Sequence, residues 1–513
     1  MCAPSVVAHD PAEASMLFSF EALERGYRQC RRRKRGTANA LRFERDLEEN
    51  LLSLREELVS GRYQPLRSVC FITSRPKLRE IVAADFRDRV VHHLLVGRLE
   101  PLWERAFIHD SYACRKGKGT HAAVDRLSSF IRKATCNHTV HAHYAHLDVR
   151  SFFPSIDHDR LLAVLRRRSQ SPTLSWLCER IVRRDIKRDA VLKGPPEAFD
   201  RIPPGKSLLR APPSKGLPIG NLTSQFFANV YLNELDQFVK RTLRVRFYLR
   251  YMDDLLLLAP GREELLAWRD RIGEYVREHL FLEMNAGAER IAPVSSGIDF
   301  LGYVVHPHHR LVRRRVVRSL TARLSGMEGA FSRTSGGFRW ALYREGQSEY
   351  LRSMTASYRA HFANAHTARL RSSIRARFPW LRDALSGPQG EPFWGPRRLF
   401  PSFAGQVHWF LERFRGCLVV FRVGKYLELF GASAERIAKL GGAKLLRARR
   451  GRPRPWVRFP RERSGALLAA ARRGSIRKIV FVDEVEDAAG PVKARRATAI
   501  GTCLETTFCG VRR

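Results

Sequence analysis

Asp253 and Asp254 stand side by side between two apolar runs, Phe247-Tyr248-Leu249 before them and Leu255-Leu256-Leu257-Leu258 after. Short apolar runs interrupted by a polar pair predict a β-hairpin with the aspartates at its turn. Adjacent carboxylates repel each other, and four consecutive leucines are bound for a core. The pair must therefore be fully solvated or neutralised by a cation. A bare Asp-Asp reads as a solvated turn. The chemistry that needs such a pair is metal-assisted phosphoryl transfer, in which oxygen ligands hold two Mg²⁺ ions that activate an attacking hydroxyl and stabilise the leaving pyrophosphate.

The full Tyr251-Met252-Asp253-Asp254 in its apolar frame resembles the motif C box of reverse transcriptases. A two-metal site needs a third carboxylate from another strand. Asp148 follows the short run Tyr144-Ala145-His146-Leu147 and opens a turn toward a helix near 159–165. Asp148, followed five residues later by Phe153, is similar to motif A of the same enzymes. The resemblance implies that Asp148 shares the metals with Asp253 and Asp254, with Val149 in the same set. It also implies that Phe153 lies under the sugar of the incoming nucleotide, where its ring excludes a ribose 2′-hydroxyl. Read by itself, Phe153 fits an ordinary core aromatic equally well.

Lys215-Gly216-Leu217-Pro218-Ile219-Gly220-Asn221-Leu222-Thr223-Ser224-Gln225 precedes a helix-like apolar stretch, 226–235. Its glycines and proline permit a turn in which backbone approaches a ligand closely. The segment is similar to motif B, which touches the template and the nascent pair. Most relatives carry Gln before the second glycine and Ser-Pro at the end. Here Ile219 precedes Gly220, and Ser224-Gln225 closes the box. That variant resembles the reverse transcriptases of diversity-generating retroelements, which copy an RNA template repeat with errors at adenines.

Upstream, Pro76-Lys77-Leu78-Arg79-Glu80-Ile81, the stretch 86–93 and the basic, glycine-rich loop 110–120 resemble the fingers boxes of bacterial reverse transcriptases. Cations and free backbone N–H groups there suit a triphosphate. Lys77, Arg79, Arg115 and Lys116 are the candidate nucleotide contacts, with Phe153, Ile219 and Gly220. Downstream, 281–285 resembles motif D. The lysine expected about three residues on is replaced by Ala286-Gly287-Ala288, and Arg290 is the nearest cation. Phe300, Leu301 and Gly302 fit motif E, the primer grip. Arg-rich helical spacing over 310–385 suits a thumb along a duplex. The resemblance covers 18–385.

Net charge is +41 and the pI is near 10.9, far beyond what solubility requires. That is the electrostatic footprint of a polyanion binder. Arginine clusters recur at 31–35, 166–168, 313–315 and 447–452, so the charge is distributed along the chain. No apolar run reaches membrane-spanning length, and residues 1–16 lack a signal pattern. Nine cysteines without regular spacing argue for free thiols in a reducing interior.

After residue 385 the composition changes to a linker. The stretch 419–434 then reads as an apolar strand, a turn and a helix. It resembles the opening of the N-terminal, mismatch-recognising domain of MutS-type repair proteins. In that family an aromatic and a Glu two residues later contact a mispaired base. Tyr426 and Glu428 hold those positions here, and 479–487 with 492–496 makes a second, partial match. The family's ATPase motif is absent from this end.

The expected fold class is α+β: a right-hand polymerase of fingers, palm and thumb, followed by a small α/β domain like the first domain of MutS. Expected boundaries are an N-terminal helical segment (1–60), fingers and palm (61–305), thumb (306–385), linker (386–404) and the C-terminal nucleic-acid-binding domain (405–513). The resemblance implies an RNA-directed DNA polymerase, error-prone within a diversity-generating retroelement, using two Mg²⁺ ions with Mn²⁺ as a substitute. Expected partners are template RNA, primer and cDNA, deoxynucleotide triphosphates, a mismatched duplex and an accessory protein. No membrane partner is expected, and the expected location is cytoplasmic. Two alternatives stay open: a defence-type or retron-like reverse transcriptase, and an inactive RNA-binding or maturase-like module.

Overall fold

The computed structural model describes residues 9–32, 36–74, 77–343, 346–385, 402–440, 443–446, 455–484 and 495–504. Pro76, residues 33–35 and 447–452 of the basic clusters, most of the expected linker (386–401), and 485–487 with 492–494 of the second MutS-like segment lie outside the described residues. The chain divides into two compact units, 1–308 and 309–513. The expected thumb and C-terminal domain both fall in the second.

The first unit begins with helices Pro11–Leu17, Phe20–Arg31, Ala38–Arg45 and Leu47–Val59. Asp10 and Ser19 cap the first two by accepting hydrogen bonds from backbone N–H groups that a helix start leaves unpaired. A small sheet follows, in which Ser68–Thr73 lies between Arg79–Ala83 and Ala190–Lys193. The larger sheet has four antiparallel strands in the order Phe247–Tyr251, Asp254–Ala259, His143–Asp148, Arg290–Pro293. The four leucines and Ala259 are all buried. An unbroken apolar run on a strand means that both sheet faces are covered.

Helix Leu222–Gln237 is the axis of this unit. Twelve of its 16 residues are buried, including Asn229, Asn233 and Asp236. A helix buried all round must hydrogen-bond its polar side chains internally. Asn229 donates to the Ala113 carbonyl at 2.8 Å, and Asp236 pairs with Arg250.

The second unit carries a seven-stranded sheet in the order Ser332–Ser335, Phe338–Leu342, Arg495–Cys503, Lys478–Glu484, Leu418–Val423, Tyr426–Phe430, Trp456–Pro460. Only the central pair, Leu418–Val423 with Lys478–Glu484, is parallel. Its first two strands come from the segment expected to be thumb. They form a hairpin whose turn residues Gly336 and Gly337 both have positive φ, 59° and 78°, and Phe338–Leu342 then pairs with Arg495–Cys503. A Gly-Gly pair between strands is a hairpin signal in its own right. A short strand, Arg310–Val312, and helices Arg314–Phe331, Gln347–Phe362, Ala368–Arg377 and Trp380–Leu385 are the other elements of that segment.

The expected strand–turn–helix at 419–434 contains one element more. After the turn at Gly424 (φ 56°), Tyr426–Phe430 forms a second strand before helix Gly431–Lys439. Tyr-Leu-Glu-Leu-Phe alternates at period two. Leu427 and Leu429 enter one apolar cluster and Phe430 another. Among the described residues, no helix is long and apolar enough to cross a membrane.

Candidate active site

The expected hairpin is present. Tyr251 pairs with Asp254, leaving Met252 and Asp253 as its two-residue turn. Met252 sits in the left-handed region at φ 56°, a conformation that costs a non-glycine residue about 1–3 kcal/mol and must be held by its surroundings. On the other side, Asp148 pairs in register with Asp254. Two carboxylates from two strands thus meet at one sheet end, with Asp253 beside them at the hairpin tip.

The electrostatics follow from that crowding. Burial pushes the Asp253 carboxyl up to about 6, and the neighbouring Asp254 and Asp148 push it the same way. Arg79 opposes them, which places the Arg79 cation within electrostatic reach of Asp253. Both Arg79 and Lys77 are exposed.

The other two carboxylates have neighbours. Asn285 donates its side-chain amide to Asp148 Oδ2 at 2.8 Å, and its backbone N–H to the Asp148 carbonyl at 2.8 Å. Arg150 N–H donates to the Glu283 carbonyl at 2.8 Å, and Val149 forms a bridge with Met284. The segment 283–285, just before Ala286-Gly287-Ala288 where the lysine was expected, is therefore laced to the strand end carrying Asp148. His146 Nε2 lies 3.3 Å from Asp254 Oδ1. Asn285 and His146 were not singled out as site residues from the sequence. His146 sits two residues before Asp148 and so shares its sheet face, a period-two signal that could have found it. Asn285 had no such signal.

Among the described residues, no three His, Cys, Asp or Glu side chains stand together as a ready-made ligand set. The donor chemistry nevertheless fits a hard divalent cation. All three acids are oxygen donors, and their mutual repulsion at Asp253 is what a cation would relieve.

The motif B loop packs between two elements. Gly216 donates to the Ile156 carbonyl at 2.8 Å and Leu217 to the Phe153 carbonyl at 2.9 Å; on the other side, Val82 donates to the Ile219 carbonyl at 2.8 Å. Gly220 has φ 125°, and a Cβ there would stand 2.9 Å from the Val82 carbonyl oxygen. The close backbone approach expected of this glycine is thus made to strand Arg79–Ala83. Phe153 is half-buried, packs on the core and meets Phe152 edge-to-face at 5.4 Å.

Arg115 is corrected. Its side chain is 6% exposed, and its guanidinium is bound to Glu104. It also donates to the Ile108 and Ser111 carbonyls at 2.7 and 2.9 Å, and it lies over the Phe107 ring. It ties the loop to its base, because a buried guanidinium must spend its donors locally. Lys116 pairs with Glu100 but is 86% exposed. Water screens such a pair, so a phosphate can still recruit this lysine.

Motif E is a tight hairpin. Strands Ile298–Phe300 and Tyr303–Val305 pair, and Leu301 and Gly302 turn between them at φ 48° and 92°. Phe300 is buried, 6.4 Å from the His146 ring.

In the second unit Tyr426 is 40% exposed, with the Arg458 guanidinium 4.3 Å over its ring. Glu428 is corrected. It is fully buried and accepts from Arg458 Nη2 at 2.9 Å. The acid neutralises Arg458 on the neighbouring strand and is not presented to a displaced base.

Residues 73–305 match the family model of reverse transcriptases, the RNA-dependent DNA polymerases. The chain is 29% identical over 299 residues to the protein YkfC of Escherichia coli K12, covering 51% of this chain and 71% of that one. It is 20% identical over 344 residues to the group II intron-encoded protein LtrA of Lactococcus lactis, covering 54% and 52%. Among solved structures, a Candida albicans telomerase in complex with a telomeric RNA fragment aligns with a TM-score of 0.35. That alignment has 11% identity and covers 53% and 52% of the two chains.

Proposed function

We propose that this chain, an RNA-directed DNA polymerase by its reverse transcriptase domain at 73–305, copies an RNA template into cDNA by two-metal nucleotidyl transfer. The observation that carries the reading is the meeting of Asp148 and Asp254 in register, with Asp253 at the adjoining turn. Asp148, Asp253, Asp254 and the Val149 backbone would hold the Mg²⁺ ions, with Mn²⁺ as a substitute. Bound there, the metals supply Lewis-acid activation of the primer hydroxyl and charge neutralisation of the pyrophosphate. The protein's own part is positioning. Arg79 and Lys77 offer exposed cations to the triphosphate, Lys116 adds a third, and the motif E turn at Leu301 and Gly302 guides the primer. The direct test is extension of a DNA primer on an RNA template with deoxynucleotides and Mg²⁺. No extension under any metal would leave the RNA-binding, maturase-like reading.

Phe153 is proposed as the sugar gate. Phe153→Val should lower discrimination against ribonucleotides by roughly tenfold or more, within the range that a few methylene groups confer in a pocket. An unchanged incorporation ratio would make Phe153 a core residue only.

Ile219 before Gly220 supports placing the enzyme among the diversity-generating type. Its side chain is half-exposed while its carbonyl is held by Val82, so the substitution alters the surface and not the loop's anchorage. Errors are expected to concentrate opposite template adenines and to fall in Ile219→Gln. Product sequencing reads this directly, and a flat spectrum in the parent would favour the defence-type alternative. The exposed Tyr426 ring, backed by Arg458, is proposed as the wedge by which the C-terminal domain meets a distorted duplex.

A further inference from the structure

We infer that Arg250 is a positioning residue for the catalytic turn, and that it joins that turn to the loop at 110–113 and to helix Leu222–Gln237. The inference rests on the polymerase reading for its functional meaning, and on geometry for its substance.

Arg250 is fully buried, as is Asp236, its partner on the helix. Nε donates to Asp236 Oδ1 at 2.8 Å, and Nη2 donates to Oδ2 at 2.7 Å. That forked contact occupies only part of the guanidinium. Nη2 also donates to Ser111 Oγ at 3.1 Å, and Nη1 donates to Asn229 Oδ1 and to the Met252 carbonyl, each at 3.1 Å. The last contact matters most. It fixes the peptide plane between Met252 and Asp253, at the residue whose backbone is left-handed. Orienting that plane orients the Asp253 N–H and the base of its carboxylate.

The backbone repeats the connection. Arg250 N–H donates to the Asp110 carbonyl and Tyr112 N–H donates to the Arg250 carbonyl, both at 2.9 Å. Asn229, which accepts from Arg250, donates in turn to the Ala113 carbonyl. Three segments far apart in sequence thus converge on one guanidinium. A planar group with five donors can serve four partners in fixed directions, and a lysine ammonium cannot. Groups that orient ligating carboxylates are worth about 10–100-fold in metal affinity or activity when lost.

The test compares Arg250→Lys, which keeps the charge opposite Asp236, with the apolar triple variant Tyr248→Phe, Asp236→Leu, Arg250→Met, which removes the buried charges together. Three quantities are read: affinity for primed RNA template, Mg²⁺ needed for half-maximal extension, and amide hydrogen exchange over 250–254 without metal or nucleotide. Template affinity is expected to stay near the parent's. Half-saturating Mg²⁺ should rise by roughly tenfold or more, and exchange across the turn should accelerate. A merely structural pair would lower the active fraction without moving the Mg²⁺ midpoint. Parental Mg²⁺ dependence and parental exchange in a folded variant would overturn the assignment, as would failure of both variants to fold. An inactive parent enzyme would count against the polymerase reading instead, and the exchange measurement would still decide the role of Arg250.

Discussion

Asp253→Asn abolishes DNA synthesis on a primed RNA template and leaves the affinity for that template nearly unchanged: this is the largest effect expected of any single substitution here. Asn keeps the shape of the side chain and removes the charge that a bound cation would need. Metal-centred charge stabilisation is worth several kcal/mol, so the loss is on the order of a thousandfold or more. Template binding depends on other groups. The chain carries a net charge of +41 spread along its length, and one carboxylate hardly changes a polyelectrolyte interaction of that size. Stability should move the opposite way from activity. Burial raises the Asp253 carboxyl to about 6, and the neighbouring Asp254 and Asp148 push it the same way. Neutralising it removes like-charge repulsion, so the variant should melt no lower than the parent at neutral pH. Asp148→Asn should be equally inactive. Substantial extension by both variants would remove the aspartates from the mechanism.

The second large effect is on stability. Asp236→Ala is expected to cost about 3–5 kcal/mol, because it leaves Arg250 charged in a site with no exposure to water. Burial opposes the charged guanidinium and Asp236 is the partner that restores it, so Arg250 is held above its ordinary range. The same deletion removes the acceptor of the Tyr248 hydroxyl, 2.8 Å away. A urea or thermal melt would show it, since a loss of that size is a large share of a domain's stability. A midpoint close to the parent's would mean that water reaches the cavity and rescues the guanidinium.

The two variants divide the site between them. Asp253 is a charge kept near other charges at a cost to stability, and Asp236 is a charge whose loss costs stability outright. The hairpin that carries the acids is therefore anchored from behind, through Arg250 and Met252, by the helix it packs against.

Much of this was legible along the chain. The hairpin at 247–258 follows from apolar runs around a polar pair, and Asp148 follows from a second short strand ending in an acid. The Gly336-Gly337 turn carried a hairpin signal too, though strand Phe338–Leu342 finds its partner in Arg495–Cys503, more than 150 residues on. Periodicity says that a strand exists and says nothing of which edge it joins.

The cations show the same division. Charge and position make Arg79 and Arg115 look alike in the sequence, as two arginines in basic fingers boxes. In the structure Arg79 is exposed within reach of Asp253, while Arg115 is sealed against Glu104 and two carbonyls. Glu428 likewise keeps its place in a family pattern, yet its carboxylate is buried and its Oε1 accepts from Arg458. What the sequence determined alone is what local physics decides: the strands, the turn chemistry, the acids at the strand ends and the polyanion-binding charge. Which cation faces the acids, which arginine anchors the turn and which glycine meets a strand were decided only by the tertiary structure. A guanidinium's role depends on the acceptors that folding brings within about 3 Å, and those come from segments that the chain order keeps far apart.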